Sequence, residues 1–275
     1  SSSLILNGYI GRSYYSGRFG VRFELPTHLP AYLKLNGVVS RKKYFESEEL
    51  FKIEELPTFI TTNESYLKLH FGTPVGIPAR LEISSGYGYL WDTYYPSNIY
   101  DYTLNADRSS YWIGISSIDF DYNTLNSPVY ATEGSQYRVT GSVVYGNETY
   151  TPSWAPRESQ FRTWLQLSAK AEHYFPMLPH ITIGVKGELF ASAKKRLKSY
   201  TDTIVQAPGF TPTPHRQMVF NEGFHANQYI AGGIIPIYKI MKNLQLRSEF
   251  YAFSPFRKIL RDEDYKAIYA DGYFT

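Results

Sequence analysis

The side chains that could carry out a reaction are scattered along this chain. Segment 114–118 (GISSI) comes nearest to the Gly-x-Ser-x-Gly elbow of serine hydrolases, in which a strained turn exposes the nucleophilic hydroxyl. It lacks the second glycine and lies within a strand pattern. The histidines show neither His-x-His nor His-Glu-x-x-His spacing, the usual sign of a zinc site. They are His28, His70, His173, His180, His215 and His225. We therefore expect no enzyme and no metal site in this chain.

The acidic and glycine-rich segments are equally incomplete as ligand sites. Asp119 and Asp121 lie on one face of a predicted strand and Glu133 follows nearby, but calcium would need more oxygen ligands. We interpret them as a polar cluster beside a turn. The pair Gly232-Gly233 lacks the Lys and Ser/Thr partners of a phosphate-binding loop, so no cofactor is expected. The basic run 194–198 could meet anionic lipid headgroups, but solvation is the expected state of such a run.

Composition narrows the class of protein. The 275 residues carry a net charge of only +3, which gives no strong attraction for nucleic acid, and they include no cysteine for disulfides or thiolate chemistry. No stretch reaches the ~18–20 apolar residues of a membrane helix. The first residues show no signal-peptide pattern, so we expect a mature protein or a fragment. The 26 Tyr, 17 Phe and 4 Trp suit a protein with aromatic rings at a membrane interface.

The clearest structural pattern is the alternation of apolar and polar residues. Along 181–189 apolar residues occupy most odd positions and polar residues the even ones, and strand side chains alternate between two faces. The same alternation recurs near residues 18–25, 66–71, 136–145, 161–172 and 244–250. A soluble sandwich would bury the apolar face in a core. A transmembrane barrel would instead turn it to lipid and keep a polar lumen.

The connections favour the barrel. Short connections alternate without exception with longer links along the chain. The short ones are 26–30, 72–78, 126–134, 177–180 and 241–243, and the longer ones are 44–63, 92–108, 151–159, 191–224 and 255–264. An outer-membrane barrel has short periplasmic turns and long external loops, whereas a Greek-key sandwich has no reason to keep this order. We predict an all-β, antiparallel transmembrane barrel of roughly eleven or twelve strands. It would be a single domain over 1–275, with a short helix in 47–56.

Such a barrel would place two sets of side chains in different surroundings. Polar residues of the alternating strands would face the lumen, and these are Arg22, Glu24, Arg138, Lys170, Glu172, Lys186, Glu188, Arg247 and Glu249. Apolar residues of the opposite face would meet lipid, and these are Ile181, Ile183, Val185, Leu189, Leu244, Leu246 and Phe250. The polar set contains charges of both signs, which suits a hydrated, salt-bridged lumen.

Much of the chain resembles a known class of barrel. Segments 119–125 (DFDYNTL) and 130–139 (YATEGSQYRV) together are similar to a recurring part of surface-antigen-type barrels, in which an acidic strand end leads into a turn and a new strand. These barrels belong to the superfamily of outer-membrane assembly factors and two-partner secretion transporters. More narrowly, four segments resemble the C-terminal barrel of patatin-like phospholipases of Bacteroidetes type. These segments are 41–45, 94–96, 207–215 and 229–238.

The resemblance implies a location and partners. In that family a patatin hydrolase and a periplasmic repeat precede the barrel, which anchors the enzyme in the outer membrane or carries it to the surface as an autotransporter-like translocator. The implied partners are outer-membrane lipid, the protein's own N-terminal hydrolase and periplasmic domains, and the barrel assembly machinery. Enzymatic activity is not carried over to this chain. It lacks the Gly-x-Ser-x-Gly motif, and its Asp271-Gly272 pair stands alone.

The resemblance also implies a loop that folds back into the lumen. In the superfamily the long sixth external loop usually does so through a Val-Arg-Gly-Tyr/Phe signature. The corresponding loop here is 191–224, and Phe224, His225 and Asn227 stand where the signature would be. Its absence weighs against a transport mechanism that depends on that contact. Because the family type has sixteen strands, we expect this chain to lack strands at both ends and to be a fragment.

Three functions remain open on the sequence. The first is an outer-membrane barrel that anchors or translocates a patatin-type phospholipase passenger outside this chain. The second is a polypeptide transport or insertion barrel without a hydrolase partner. The third is a soluble β-sandwich that binds a ligand through aromatic loops containing Trp91, Tyr94 and Tyr95. A nucleophile elbow upstream of residue 1 would favour the first, and a packed core around Ile181 would favour the third.

Overall fold

Twelve antiparallel strands form one sheet in the computed structural model, which describes residues 2–11, 14–26, 30–44, 60–94, 105–153, 155–212, 222–241, 244–259 and 269–274. Each strand pairs with its neighbours in sequence order, from β1 to β12. The strands are β1 (Ser2–Ile10), β2 (Tyr14–Leu25), β3 (Ala31–Tyr44), β4 (Ile60–Pro74), β5 (Ala79–Tyr94), β6 (Asp107–Asn123), β7 (Gly134–Thr151), β8 (Glu158–Leu178), β9 (Ile181–Ser192), β10 (Gln228–Met241), β11 (Leu244–Pro255) and β12 (Tyr269–Phe274). The predicted all-β, antiparallel fold is confirmed.

This topology excludes the two-sheet sandwich. A sandwich needs two sheets that pack face to face, commonly with Greek-key crossings. Here one continuous sheet runs through all twelve strands without a crossover, as in up-and-down barrels. The central strands are also long, and β8 has 21 residues. A transmembrane strand needs only about 9–11 residues to cross the hydrocarbon layer.

Most of the longer connections between strands lie at one end of the sheet. We call this the long-loop end; it carries the β3–β4, β5–β6, β9–β10 and β11–β12 connections. The predicted alternation is not strict, because the β6–β7 turn at the opposite end, 124–133, is longer than the β7–β8 connection, 152–157. The turn is long because it folds inward over the sheet, where Ala131 O accepts a hydrogen bond from Arg247 Nη1 at 2.9 Å.

The described part of the chain contains one short α-helix, α1 (Tyr200–Val205), within the β9–β10 connection. The Oγ atom of Ser199 caps it by accepting a hydrogen bond from Asp202 N at 3.4 Å. The helix predicted in 47–56 lies outside the described residues. No helix in the described part of the chain has the length and apolar character needed to cross a membrane.

The register gives the sheet two distinct faces. We call the face on which the β9–β10 connection lies the inward face, and the other the outward face. In β5, for example, Glu82, Asp92 and Tyr94 lie on the inward face, and Tyr87 and Trp91 lie on the outward face. Neighbouring strands keep this parity, so each face is continuous across the sheet.

The β6–β7 turn ends at a glycine whose backbone suits no other residue. Gly134 has φ of 94°, in the left-handed region that residues with a Cβ rarely adopt. A Cβ there would lie 2.1 Å from the carbonyl oxygen of Thr124. The backbone N–H of Thr124 donates to Ser135 O at 2.8 Å and closes the turn. The turn geometry therefore depends on glycine at this position.

We expect Gly134→Ala to destabilise the complete protein by about 1–3 kcal/mol, because it forces a strained backbone conformation and creates a clash with Thr124. Gly141→Ala is the matched control. It lies on the outward face of the same strand, where a Cβ would meet nothing within 4 Å. Urea unfolding midpoints would measure both. Equal midpoints for the two variants would contradict this account of the turn.

Candidate functional site

The described residues of the β9–β10 connection, 193–212 and 222–227, lie against the inward face of the sheet, and we call them the docked loop. Its first part contains α1 and contacts side chains of β4 to β7. Its second part, 209–212 and 222–227, packs on β9, β10 and β11. The docked loop therefore crosses much of the inward face.

A buried polar cluster holds the first part of the docked loop. The hydroxyl of Tyr111 donates to Asp202 in α1, and Gln206 Nε2 donates to Asp92 of β5. Asp92 and Asp202 are almost fully buried, with 1% and 0% exposure. The backbone N–H of Lys198 donates to Glu148 Oε1 at 3.1 Å. Side chains of three neighbouring strands, β5 to β7, thus contact one short segment of the loop.

The basic run 194–198, which was expected to be solvated, lies partly in this cluster. Lys194 Nζ donates to Gln206 O at 3.2 Å and lies 5.3 Å from the ring centroid of Trp164. Leu197 is buried, with 4% exposure, and only the other basic side chains of the run are exposed. The prediction of a fully solvated run is therefore wrong. Nothing within the run indicates that the carboxylates of Asp202 and Asp92 lie near Lys194.

Burial shifts the pKa values of the loop's own ionisable groups. Loss of solvent raises the pKa of the Asp202 carboxyl to about 6, although Tyr111 and Lys194 partly oppose the shift. Burial likewise lowers the pKa of the Lys194 ammonium to about 8, and the nearby Asp202 and Asp92 limit that shift. Asp202 therefore loses its proton in the docked loop at a higher pH than an exposed carboxyl does.

The second part of the docked loop is held by aromatic packing. Phe210 and Phe224 from the loop pack against Tyr229, Tyr251 and Phe253 of the sheet in one buried cluster. The Phe224 and Phe253 ring centroids are 5.6 Å apart, and those of Phe210 and Tyr251 are 5.8 Å apart with nearly perpendicular planes. These five rings anchor the loop on the inward face of β10 and β11.

Two segments of the loop are also joined to each other around a histidine. Phe210 N donates to Phe224 O at 2.9 Å, and His225 Nδ1 hydrogen-bonds Ala207 O at 2.8 Å. The imidazole lies close to Gly209, where a Cβ would come within 2.6 Å of the ring. Burial lowers the pKa of His225. These contacts make the loop a compact unit.

The three loop residues singled out from the family comparison lie in this unit or beside it. Phe224 is buried in the aromatic cluster, and His225 and Asn227 are half-buried beside it. The residues that hold the other part of the loop, Asp202 and Gln206, were missed by the sequence analysis. The spacing of Ser199 and Asp202, which resembles a helix cap, was a signal that could have indicated α1.

The register also assigns each strand residue singled out from the sequence to a face. The inward face carries Arg22, Glu24, Arg138, Lys170, Glu172, Lys186, Glu188, Arg247 and Glu249. The outward face carries Ile181, Ile183, Val185, Leu189, Leu244, Leu246 and Phe250. The polar and the apolar sets therefore lie on opposite sides of the sheet.

Ion pairs connect neighbouring strands across the inward face. Lys170 Nζ lies 3.1 Å from Glu188 Oε2, and Lys186 Nζ lies 3.3 Å from Glu172 Oε1, so β8 and β9 are joined twice. Arg247 of β11 is buried and donates from Nε to Glu249 Oε1 at 2.6 Å. Such pairs satisfy charges that would otherwise be costly to bury.

The acidic pair near the β6–β7 turn is part of the same polar surface. Asp121 Oδ2 accepts hydrogen bonds from Arg80 at 2.9 Å and Arg138 at 3.0 Å, and Asp119 accepts one from Thr140 at 2.5 Å. This agrees with a polar cluster beside a turn. Among the described residues, no group of three or more His, Asp or Glu side chains is arranged to hold a metal ion.

Trp91 and Tyr94, which the sequence analysis considered as ligand-binding residues of a loop, do not lie in one site. Trp91 and Tyr94 are both in strand β5, and they lie on opposite faces of the sheet. Tyr94 is buried and its hydroxyl hydrogen-bonds Ser109 Oγ at 3.0 Å. Tyr95 lies outside the described residues. The sequence pattern in this segment therefore belongs to a strand.

Comparison with known proteins finds a likeness of fold. No family model matches the chain, and no curated protein matches it. Among solved structures, it is similar to BamA from Haemophilus ducreyi lacking POTRA domains 1-3, with a TM-score of 0.60 and 14% sequence identity. The match covers 92% of this chain and 51% of that chain, so this chain spans about half the length of that protein. The fold is that of a bacterial outer-membrane β-barrel.

We expect docking of the loop to weaken as the pH rises. Because the pKa of Asp202 is raised by burial, the docked state favours its protonated form. Docking is strongest below the ordinary carboxyl pKa of about 4 and weakens as the pH rises through about 6. Asp202→Asn, which is neutral at every pH, should reduce this dependence. Hydrogen exchange of the amides in 197–206, corrected for intrinsic rates, would measure it.

Asp202→Ala tests the hydrogen bond itself. It leaves the Tyr111 hydroxyl without its acceptor, which should cost about 1–3 kcal/mol and increase exchange in the same segment. Lys195→Gln is the control, because Lys195 is exposed in the same loop. Unchanged exchange in Asp202→Ala, or an unaltered pH dependence in Asp202→Asn, would contradict the role given to Asp202.

Proposed function

We propose that this chain is an outer-membrane β-barrel that moves polypeptides across the outer membrane or inserts them into it. The observation that carries the proposal is the combination of a BamA-like fold with a long loop docked on a polar inward face. The inward face would line the lumen, and the outward face would meet lipid. The long-loop end would face the outside of the cell.

The distribution of charge supports this orientation of the two faces. In β1 to β11 every Asp and Glu lies on the inward face: Glu24, Glu64, Glu82, Asp92, Asp107, Asp119, Asp121, Glu148, Glu158, Glu172, Glu188 and Glu249. A carboxylate that faces hydrocarbon would have no water or partner, so a lipid-exposed face must exclude it. The outward face exposes large apolar residues instead, such as Leu67, Phe71 and Ile83.

The docked loop supports a role beyond simple anchoring. An anchor needs only a lipid-facing belt, whereas this loop places a buried polar cluster and an aromatic cluster inside the lumen of the proposed barrel. The partly ionic contacts of Asp202 and Lys194 can be broken by hydration without unfolding the wall. The loop would therefore be able to leave the inward face when a polypeptide occupies the lumen.

A second proposal is that the barrel anchors or translocates its own patatin-type phospholipase passenger. The resemblance of segments 207–215 and 229–238 to the barrels of that family supports it, since these segments contain part of the docked loop and most of β10. The fold likeness does not extend to a hydrolase. Under either proposal the chain itself would be non-catalytic, and the strands of a larger, sixteen-strand barrel would complete its wall.

The facing assignment can be tested on two adjacent residues of β9. Val185→Arg would place a cation in lipid, which should cost ~2–4 kcal/mol if the residue lies near the bilayer midplane. Lys186→Ala, on the inward face, loses only its ion pair with Glu172 and should have a mild effect. Unfolding free energies in lipid vesicles would measure both changes. Equal losses of stability would contradict the assignment.

The function itself can be tested by depleting the complete protein in its native cell. If it inserts or transports polypeptides, several other outer-membrane or secreted proteins should disappear from their usual location. If it only serves a passenger, the location of that passenger alone should change, and the second proposal would replace the first. An unchanged outer membrane and secretome would contradict both proposals.

A further inference from the structure

We propose that the outward face at the long-loop end binds a bis-phosphorylated glycolipid of the outer leaflet. The phosphates would be held by Arg41, Lys43 and Arg108, and the acyl chains would lie in a groove below them. This inference rests on the proposed function, because it requires the outward face to meet lipid.

The first observation is the placement of the cations. Arg41, Lys43 and Arg108 are the only Asp, Glu, Lys or Arg residues on the outward face of β1 to β11. All three lie within four residues of a strand boundary at the long-loop end. Every carboxylate of these strands lies on the other face, so no acidic residue of β1 to β11 shares a face with the three cations. Their charge suits an anionic group at the edge of the lipid layer.

The second observation is an orphaned donor in the same place. Arg41 Nε is buried and has no hydrogen-bond partner among the described residues. A buried guanidinium donor is costly to leave unsatisfied, and a phosphate oxygen is a good acceptor for it. Arg108 Nη2 donates a hydrogen bond to Tyr89 Oη at 3.4 Å, which orients the guanidinium group. Under the proposed orientation both arginines would lie beside the membrane surface.

The spacing of the cations indicates more than one phosphate. The pairing register runs from Lys43 through Thr61 and Thr93 to Arg108, so β3 and β6 are three strand spacings apart. At about 4.8 Å per spacing the two backbones are roughly 14 Å apart. This distance leaves room for two phosphate groups side by side, one beside each cationic strand. The hydroxyls of Thr61 and Thr93 lie between them, where they could hydrogen-bond a sugar.

An apolar groove continues from this row toward the middle of the sheet. Its volume is about 840 Å³, which is within the range of roughly 300–1,000 Å³ typical of ligand sites. The small residues Gly17, Val39 and Ser65 form its floor. Aromatic rings of Tyr87, Tyr89, Trp91 and Trp112 line one side, and the Tyr89 and Trp112 centroids are 4.5 Å apart. Rings at this depth suit the boundary between headgroups and acyl chains.

The arrangement of these rows matches the lipid from headgroup to chain. The row nearest the long-loop end contains Lys43, Thr61, Thr93 and Arg108, and the next row contains Arg41, Asn63 and Trp91. The row beyond it contains Val39, Ser65, Tyr89 and Trp112, and apolar residues such as Leu67 follow toward the middle of the sheet. A phospholipid with one phosphate would use only one of the two cationic sides. A glycolipid with phosphates at both ends of its sugar headgroup would use both. The two cationic sides therefore favour the bis-phosphorylated glycolipid.

The test measures binding of purified lipid A to the complete protein in detergent micelles. Wild type should bind bis-phosphorylated lipid A at least tenfold more tightly than its dephosphorylated form and than phosphatidylglycerol. A triple variant, Arg41→Gln with Lys43→Gln and Arg108→Gln, should lose at least tenfold in affinity. Lys42→Gln is the matched control, because Lys42 lies between Arg41 and Lys43 but faces inward.

A second variant examines the groove without touching the cations. Gly17→Leu should fill the floor, where a Cβ meets nothing within 4 Å, and weaken binding of lipid A severalfold with unchanged salt dependence. Equal affinity of wild type and the triple variant would overturn the inference. So would equal binding of phosphatidylglycerol and lipid A, since this would indicate a general attraction for anionic lipid.

Heat-modifiable gel mobility, recorded on the same samples, separates this inference from the proposed function. A heat-shifted species that forms only with detergent, together with no preference for lipid A, would overturn the glycolipid site and leave the barrel intact. A protein that folds without detergent would overturn the proposed function and the site together. Variants are compared only where they show the same heat-shifted species as wild type.

Discussion

The separation of charge onto one face of the sheet is the constraint on which the rest of the structure depends. All twelve carboxylates of β1 to β11 lie inward, and several of them, such as Asp121, Glu172 and Glu188, pair there with arginines or lysines of neighbouring strands. Because strand side chains alternate strictly, one register shift would move a whole set of charges to the outward face. The long strands and their uninterrupted pairing keep that register fixed.

The inward face in turn determines how the long loop can dock. Its long-loop end is polar near β5 to β7 and aromatic near β10 and β11. The docked loop contacts both surfaces. The Asp202 carboxylate and the Gln206 amide contact the polar one, and the rings of Phe210 and Phe224 pack on the aromatic one. Aromatic packing is insensitive to pH, whereas the contact between Tyr111 and Asp202 depends on protonation. The attachment of the part that contains α1 therefore depends on pH, whereas the attachment of the aromatic part does not.

Alternation of residue type was enough to predict the strands, because it follows from the two-residue period of a strand and needs no tertiary information. Segment 181–189 shows this most clearly, since both sides of β9 follow from it. Contacts between distant segments could not be predicted in this way. Nothing local marks Lys194 as a neighbour of Asp202 and Asp92, so its run was assigned to solvent. The strict alternation of loop lengths failed at 124–133, because that turn is shaped by its contact with Arg247.

The central claim is that the outward face meets lipid and the inward face does not. Two tryptophans test it directly: Trp112 lies on the outward face, and Trp164 lies on the inward face under Lys194. In each of two variants, either Trp112 or Trp164 would be the single tryptophan kept, with all others replaced. Their fluorescence would be measured in vesicles of brominated lipid. If the outward face meets lipid, Trp112 should be strongly quenched and Trp164 should be quenched little. Equal quenching of both, or stronger quenching of Trp164, would contradict it.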